Sequence, residues 1–425
     1  MDLSGIAQNV LDFCRAEGIE LTDDLTQVEA TLTQLVRQIG AKAIEQHLAS
    51  IKLGYQGSAI PCPCGGVQRF VGHRGKQVAT LLGTVRIRRA YYRCRACRAS
   101  ALPYDAQAGL GDHAASEGLA QAAALLGMNN PFDQAHRLLY ALTGQRLSAC
   151  TIERITEQVG QQAVEQQRRE AAAIESWRSP PPEVQPERLY VAVDGTMVHQ
   201  QDGWHEVKCV TCYWYEPDGR RQVRYAAHCC DAKQFVAYVW ALACRCGLES
   251  ARQVVLLGDG ADWIWRQVGG LLKEAVCIVD WYHAVEHLWS AGRALYGEGS
   301  EATQRWVKDC ETLLWEGQVE ALRRRLEAER ARSRSPAKRE ALRGLIGYLE
   351  KHAGRMNYAR FRAMGLDIGS GCVESACKHV VAARLKRSGM RWSRSGSQAV
   401  LSLRTTWLNG QWKALWARHP LARAA

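Results

Sequence analysis

Two short apolar runs in this chain each end in Asp-Gly, and that pairing restricts the fold more than any other feature. The first is Leu189-Tyr190-Val191-Ala192-Val193, followed by Asp194-Gly195-Thr196. The second is Val254-Val255-Leu256-Leu257-Gly258, followed by Asp259-Gly260-Ala261. Runs this short, rich in Val, Leu and Tyr, read as buried strands. A carboxylate at the end of a buried strand is costly unless something pairs with it, and a divalent cation is the usual partner. One Asp-Gly in isolation is better read as a turn. Two on buried runs, joined by Glu374 in the glycine frame Gly369-Ser370-Gly371-Cys372-Val373-Glu374, read as a three-acid metal site. Asp262 competes with Asp259, but it falls three residues beyond the strand end.

The surrounding pattern supplies a scaffold for such a site. Ser179-Pro180-Pro181-Pro182-Glu183 is stiff and proline-rich, and marks a domain boundary. After it, Leu189–Val193, Trp204–Tyr215 and Arg220–His228 carry the strand period, with Asp218-Gly219 as a hairpin turn. A helix over Ala232–Cys244 and the strand Val254–Leu257 follow. Strand, strand, strand, helix, strand is the order of a ribonuclease-H-like α/β core. There the first and fourth strands are neighbours, which brings Asp194 and Asp259 together. Val276–Val279 is a further short strand, closing in Asp280-Trp281-Tyr282-His283. Residues 284–363 are almost wholly helical, so the long gap from Asp259 to Glu374 holds a helical insertion. Cys209 and Cys212, three apart on a strand, point to opposite faces and read as core.

The charge pattern names a class of partner. The chain carries +12 overall. Residues 60–100 hold nine Lys or Arg and no acid, and residues 375–425 hold ten and again no acid. The remainder is therefore net acidic. Positive charge concentrated on two segments is the footprint of a polyanion. Within the first segment, Cys62-Pro63-Cys64 and Cys94-Arg95-Ala96-Cys97 offer four thiolates for Zn²⁺ around a hairpin of Val78–Leu82 and Thr84–Ala90. That is the outline of a zinc ribbon, although the first pair has one spacer residue where ribbons usually have two. Arg86, Arg88, Arg89 and Arg93 would meet phosphates there, which positions a protein without reading sequence. Helical stretches at Leu119–Leu126, Phe132–Leu142 and Thr151–Val159 fit a helix-turn-helix as well as a plain three-helix bundle. Residues 1–50 read as helix for packing or self-association, with Val28, Leu32, Leu35, Val36 and Ile39 at helical spacing. No stretch is long enough for a membrane span and no signal peptide is evident, so a cytoplasmic, nucleoid-associated protein is expected. Sixteen cysteines then mean thiols and metal ligands rather than disulfides.

The sequence resembles bacterial insertion-sequence transposases with a DDE site, of the Kra type and related in layout to the Mutator-like group. The likeness runs from about residue 60 to the end. It rests on Cys62-Pro63-Cys64-Gly65-Gly66, Arg89-Ala90-Tyr91-Tyr92-Arg93-Cys94, Val193-Asp194-Gly195-Thr196, Gly258-Asp259-Gly260-Ala261-Asp262-Trp263-Ile264 and Asp280-Trp281-Tyr282-His283. The most telling part is Ile368-Gly369-Ser370-Gly371-Cys372-Val373-Glu374 with Arg384-Leu385-Lys386-Arg387-Ser388-Gly389-Met390-Arg391-Trp392. The resemblance implies that Asp194, Asp259 and Glu374 are catalytic and hold Mg²⁺ or Mn²⁺. It implies strand cleavage at terminal inverted repeats and strand transfer to target DNA by a homodimer or larger homo-oligomer. Asp280 and His283 match a Cys-or-Asp, two residues, His signature, and with Trp281 they support the site or touch DNA. Arg384, Lys386, Arg387, Arg391 and Arg394 would clamp phosphates, and Trp392 would stack on a base. A DNA-binding repressor without catalysis and a nuclease without strand transfer are the alternatives. The expected organisation is multidomain α+β. It comprises an N-terminal helical segment (1–55), a zinc ribbon (56–110) and a helix-turn-helix region (111–178). A ribonuclease-H-like core (186–283 and 366–400) follows, interrupted by a helical insertion (284–365), with a basic tail (401–425).

Overall fold

The computed structural model describes residues 3–417, apart from 109, 111–113 and 177. The end of the expected basic tail, 418–425, lies outside the described residues. The fold is mixed α+β with two sheets. It divides into two compact units, with breaks at Thr156/Glu157 and Leu415/Trp416.

The first unit begins with α1 (Ser4–Ala16) and α2 (Leu25–Ala49). The Asp24 carboxylate caps α2 by accepting from Thr26 N–H at 2.9 Å. Strands β1 (Ala59–Pro61), β2 (Val67–Thr80), β3 (Gly83–Cys94) and β4 (Ser100–Ala101) form an antiparallel sheet in that order. The hairpin turns at Gly83, as the sequence indicates, but its arms are much longer than the apolar residues alone suggest. Val85 and Ile87 of β3 are buried while Arg86 and Arg88 between them face water, so a basic face still keeps the period of two. Leu53, Val78, Val85, Ile87 and Leu110 make the core beneath, covered by Ile44 and Leu48 of α2. Helices α3 (Pro103–Gln107), α4 (Glu117–Asn129) and α5 (Phe132–Thr143) complete the unit with the first turns of α6 (Ala149–Ala172). Gly144 stops α5 in the left-handed conformation (φ 68°), and the Ser148 hydroxyl starts α6 by accepting from Thr151 N–H at 3.2 Å.

The second unit holds the sheet that carries the Asp-Gly runs. Its strands are β5 (Arg188–Gln200), β6 (Gly203–Tyr215), β7 (Arg221–His228), β8 (Gln253–Gly258) and β9 (Val276–Val279). Their spatial order is β7-β6-β5-β8-β9, with β5, β6 and β7 antiparallel and β8 and β9 parallel to β5. The crossover from β7 to β8 runs through α7 (Ala232–Arg245). After β8 come a π-turn over Ile264–Val268 and the short α8 (Gly269–Leu271). The long gap is helical: α9 (Trp281–Tyr296), α10 (Glu301–Trp315), α11 (Val319–Arg332), α12 (Pro336–His352) and α13 (Tyr358–Ala363). The chain then returns to the sheet with α14 (Gly371–Ala376), a second π-turn over Cys377–Ala382, α15 (Ala383–Leu385), α16 (Arg394–Leu408) and α17 (Trp412–Ala417). Helix α14 packs on β5 and β6, and α16 on β7. Gly160 of α6 lies so close to the Ala399 carbonyl of α16 that a Cβ there would meet it.

The break between the units falls within α6, not at the prolines. The proline segment is tied down instead: Glu183 N–H donates to the Arg245 carbonyl at 2.8 Å, and Arg245 is ion-paired with Glu170 at 3.1 Å and with Glu183. Stiff sequence marks where a helix must stop, but side chains around it decide which unit it joins.

Candidate functional site

The four cysteines at the base of the hairpin come together. Cys62 and Cys64 follow β1, Cys94 ends β3, and Cys97 precedes β4. Gly65, at φ 84°, lets the chain double back so that Cys62 N–H reaches the Gly66 carbonyl at 2.9 Å. The Sγ atoms of Cys62 and Cys97 are 3.5 Å apart, Cys64 and Cys62 3.4 Å, and Cys64 and Cys94 3.8 Å. All four ligand atoms lie within 4.8 Å of one another. The Cys97 N–H pulls the Cys94 thiol down to about 7. Two close pairs of thiols held this way can bind a metal ion, and four thiolates fit zinc. The one-residue spacer between Cys62 and Cys64 is no obstacle to the convergence.

In the sheet of the second unit, strand register does the corresponding work. Val193 pairs with Gly258 across the parallel β5–β8 ladder. Asp194 follows in the middle of β5, which stays paired with β6 as far as Gln200 rather than ending at Val193, and Asp259 is the first residue past β8. Neighbouring strands lie about 4.8 Å apart, which makes the two carboxylates neighbours. Burial lifts the Asp194 carboxyl above its ordinary range. The Gly195 N–H opposes this, donating at 2.7 Å, while the charge of Asp259 adds to it. Asp259 folds its own turn, accepting from Ala261 N–H at 2.8 Å. The competing Asp262 is ion-paired with Lys351.

Asp280 ties the approach to Glu374 onto this strand end. It is 1% exposed. One carboxylate oxygen caps α9 by accepting from His283 N–H at 2.8 Å, and the other accepts from Ser370 N–H. Its own N–H donates to the Gly258 carbonyl at 2.8 Å, and Trp281 N–H to the Ile368 carbonyl at 2.9 Å. A Cβ on Gly369 would stand 2.9 Å from the Tyr282 ring, so glycine permits this close passage. From below, Tyr213 and Tyr215 donate to Asp367 at 3.0 and 2.8 Å. Replacing Asp280 with Ala leaves the Ser370 and His283 N–H groups without partners. We expect a loss of roughly 2–3 kcal/mol in stability, read by urea unfolding. Asp280→Asn keeps one acceptor and should lose less than half as much.

Glu374 itself is not gathered with the aspartates. Its side chain is 57% exposed and ion-paired with Lys378 at 2.6 Å. Among the described residues, the cysteine quartet is the one set of three or more His, Cys, Asp or Glu whose ligand atoms lie within 4.8 Å. Yet Cys377, one helical turn on, lies in the segment that packs on β5, where the nearby Cys209, burial and Asp194 push its thiol up, and Cys209 stands directly opposite Asp194 on β6. Glu374 therefore starts one turn from a residue near Asp194. The π-turns follow closely on Asp259 and Glu374, where such turns commonly re-aim side chains.

The insertion adds groups that sequence reading missed. The Tyr348 ring lies against Gly260 and stacks on His287 at 3.8 Å between centroids. His283 and His287, four apart on α9, share one helix face, and the charge of His283 acts on Asp194 and that of Asp259 on His287. That His-to-His spacing was legible; Tyr348 had no signal beyond lying in a helix. Trp281 packs between Trp315 and Tyr358, with centroids 5.1 and 5.0 Å away, and its neighbour Tyr282 is the exposed ring, at 64%.

The cationic residues split into two groups. Arg86, Arg88 and Arg93 are exposed. Arg89 is buried and bound to Asp105 and the Gly75 carbonyl. Near Glu374, Lys386 donates to the Thr196 hydroxyl at 3.1 Å, two residues along β5 from Asp194. Arg387, Arg391 and Arg394 are exposed, the last ion-paired with Asp202 at 3.0 Å. Arg384 is buried over the Trp392 ring at 4.6 Å, and the Trp392 indole donates to the Leu385 carbonyl at 3.2 Å. Arg89, Arg384 and Trp392 thus hold the protein together, and the exposed cations remain at its surface.

The model of the Uncharacterised protein family UPF0236 matches residues 22–417, so the chain belongs to that family. No curated protein matches it. None of the described helices is long and apolar enough to cross a membrane.

Proposed function

We propose that this UPF0236 chain is a DNA transposase of the DDE type, working in the cytoplasm on terminal inverted repeats. The adjacency of Asp194 and Asp259 on parallel neighbouring strands carries the reading. The sheet order, three antiparallel strands followed by two parallel ones, supports a ribonuclease-H-like core. Such a core is suited to phosphoryl transfer because the middle of β5 and the end of β8 fix two carboxylates rigidly. Glu374 is the third acid, released from Lys378 and turned towards Asp194 when substrate binds. Lys378, freed in the same movement, and Lys386 meet the DNA backbone. Bound Mg²⁺ or Mn²⁺ would supply Lewis-acid activation of a water or 3′-hydroxyl and stabilise the leaving oxygen. Asp280 keeps the Glu374 segment within reach, and His283, His287 and Tyr348 wall the Asp259 side.

The cysteine cluster is then a zinc ribbon whose exposed arginines grip phosphates, and α4 to α6 form the helix-turn-helix region that reads the repeat. Binding dominated by phosphate contacts should be steeply salt-dependent. We expect at least a 100-fold loss of affinity between 50 and 200 mM salt, measured by fluorescence anisotropy, with a shallower slope for Arg86→Ala/Arg88→Ala. The ion-paired Glu374 favours a second reading, a DNA-binding repressor without catalysis. Incubating the chain with a labelled terminal-repeat duplex and Mg²⁺ decides. Nicking at the repeat end supports the enzyme; binding without nicking in either Mg²⁺ or Mn²⁺ supports the repressor. Joining of pre-cleaved ends to a plasmid separates a transposase from a nuclease.

A further inference from the structure

One side of α12 is given over to the Asp259 turn. Tyr348, Lys351 and His352 fall at intervals of three and one, which sets them on one face of the helix, and Arg355 follows just beyond its end. Gly260 admits this face. A Cβ there would stand 2.6 Å from Cε2 of the Tyr348 ring and 3.5 Å from His352 Nε2. The residue is not in the left-handed region, so glycine serves for room alone. Lys351 is ion-paired with Asp262. The Arg355 guanidinium lies 4.7 Å from the centre of the Trp265 ring, in the π-turn that follows Asp262. A column of rings continues the contact: Trp265, His352, Tyr348 and His287, with successive centroids 6.1, 4.9 and 3.8 Å apart. The last stands on α9, against which α12 packs. An ion pair, a cation over a ring and a column of rings thus join the Asp259 turn to the helical insertion.

One polar atom in this contact is unused. The Tyr348 hydroxyl is buried and has no hydrogen-bond partner among the described residues. An unpaired buried donor is costly, and its presence points to an acceptor that arrives later. Burial, and after it the charge of Asp259, push this hydroxyl above the ordinary tyrosine range, so it keeps its proton and stays a donor. We infer that α12 is the positioning element for Asp259, and that the Tyr348 hydroxyl donates to the Asp259 carboxylate when a divalent cation draws on that carboxylate. The inference rests on the reading of Asp194 and Asp259 as a cation site. A hydrogen bond to a ligating carboxylate fixes its orientation, and losing such a bond typically costs about 10–100-fold in metal affinity or activity. Tyr348 acts through Asp259 and touches neither DNA nor the cation. The insertion is then a wall of the site as well as the link between Asp259 and Glu374.

Tyr348→Phe keeps the ring against Gly260 and on His287 and removes only the unpaired hydroxyl. The variant should therefore resist urea at least as well as the wild type. Its Mn²⁺ affinity should nevertheless fall by about 10-fold or more, read by water-proton relaxation on the full chain titrated to millimolar Mn²⁺ without DNA. Half-maximal nicking of a terminal-repeat duplex should need more Mg²⁺ by the same factor, with the rate at saturating Mg²⁺ little changed. Asp259→Asn, run beside it, separates the two claims. If Asp259→Asn loses Mn²⁺ while Tyr348→Phe binds within about twofold of the wild type, the cation site stands and the role of Tyr348 is overturned. A Tyr348→Phe chain that loses both stability and Mn²⁺ also overturns it, because the hydroxyl then only supports the fold. If the wild type binds no Mn²⁺, or Asp259→Asn binds it equally well, the reading of Asp259 as a ligand fails and the inference falls with it.

Discussion

Asp194→Asn, Asp259→Asn and Glu374→Gln should each abolish Mg²⁺-dependent nicking of a terminal-repeat duplex, by about 10³-fold or more. That is the scale of several kcal/mol of metal-held charge stabilisation. Each substitution preserves side-chain shape, so terminal-repeat affinity should stay within about threefold. The two aspartates and the glutamate are expected to differ in stability. Asn at position 194 removes a charge that burial and Asp259 both disfavour, so that variant should be at least as stable as the wild type near neutral pH. Glu374→Gln should be nearly neutral, because a water-exposed ion pair four residues apart contributes little to stability. Lys378→Gln, which frees Glu374 without removing it, should leave nicking possible. If Glu374→Gln cuts as well as wild type, the third acid lies elsewhere.

The second large effect is expected at the cysteines. The purified chain should carry about one zinc per molecule, read by plasma mass spectrometry, and Cys62→Ser, Cys64→Ser, Cys94→Ser or Cys97→Ser should each lose it. In small zinc domains the metal supplies roughly 10–16 kcal/mol of apparent binding energy at pH 7, and that energy is folding energy. The hairpin here also has its own core of Val78, Val85 and Ile87. We therefore expect local opening of the hairpin base and a tenfold or greater loss of DNA affinity, with the second unit left folded. The pH dependence has a definite sign. The Cys97 N–H pulls the Cys94 thiol down to about 7, whereas the neighbouring thiols push Cys97 up to about 12, so zinc must displace a proton from the cluster and acid competes with the metal. Zinc should be retained at pH 7.5 and released progressively towards pH 5. A chain that binds no zinc at pH 7.5 under reducing conditions would remove the metal from the account.

The legible and illegible parts of this fold separate on physical grounds. Strand periodicity placed the Asp-Gly runs, and the likeness of the element order to a ribonuclease-H-like core set the first and fourth strands, β5 and β8, side by side, as they are. The cysteines were legible because spacing and turn residues encode a converging geometry. Register was not legible: nothing in the sequence states that Val193 faces Gly258. Nor was the difference between a charge on the surface and a charge in the core. Arg89 and Arg384 look like their basic neighbours in sequence but are buried, because Asp105 and Trp392 stand where only the folded chain can put them. Trp281 and Tyr282 show the same limit: on a helix, adjacent positions point about 100° apart, and the sequence does not say which points outward. The clamp by Asp280 on Ser370 joins residues ninety apart, so it could be guessed only as a motif, not as a contact.

One measurement bears most directly on the claim that three distant acids share a metal site. It is a structure of the full chain bound to a terminal-repeat end in Mn²⁺, with anomalous scattering used to locate the metal. The account predicts Mn²⁺ between Asp194 and Asp259, with a Glu374 oxygen within about 2.5 Å of a metal ion and Lys378 turned to a phosphate. DNA engaged with Glu374 still on Lys378, and no metal beside Asp194 and Asp259, would contradict it.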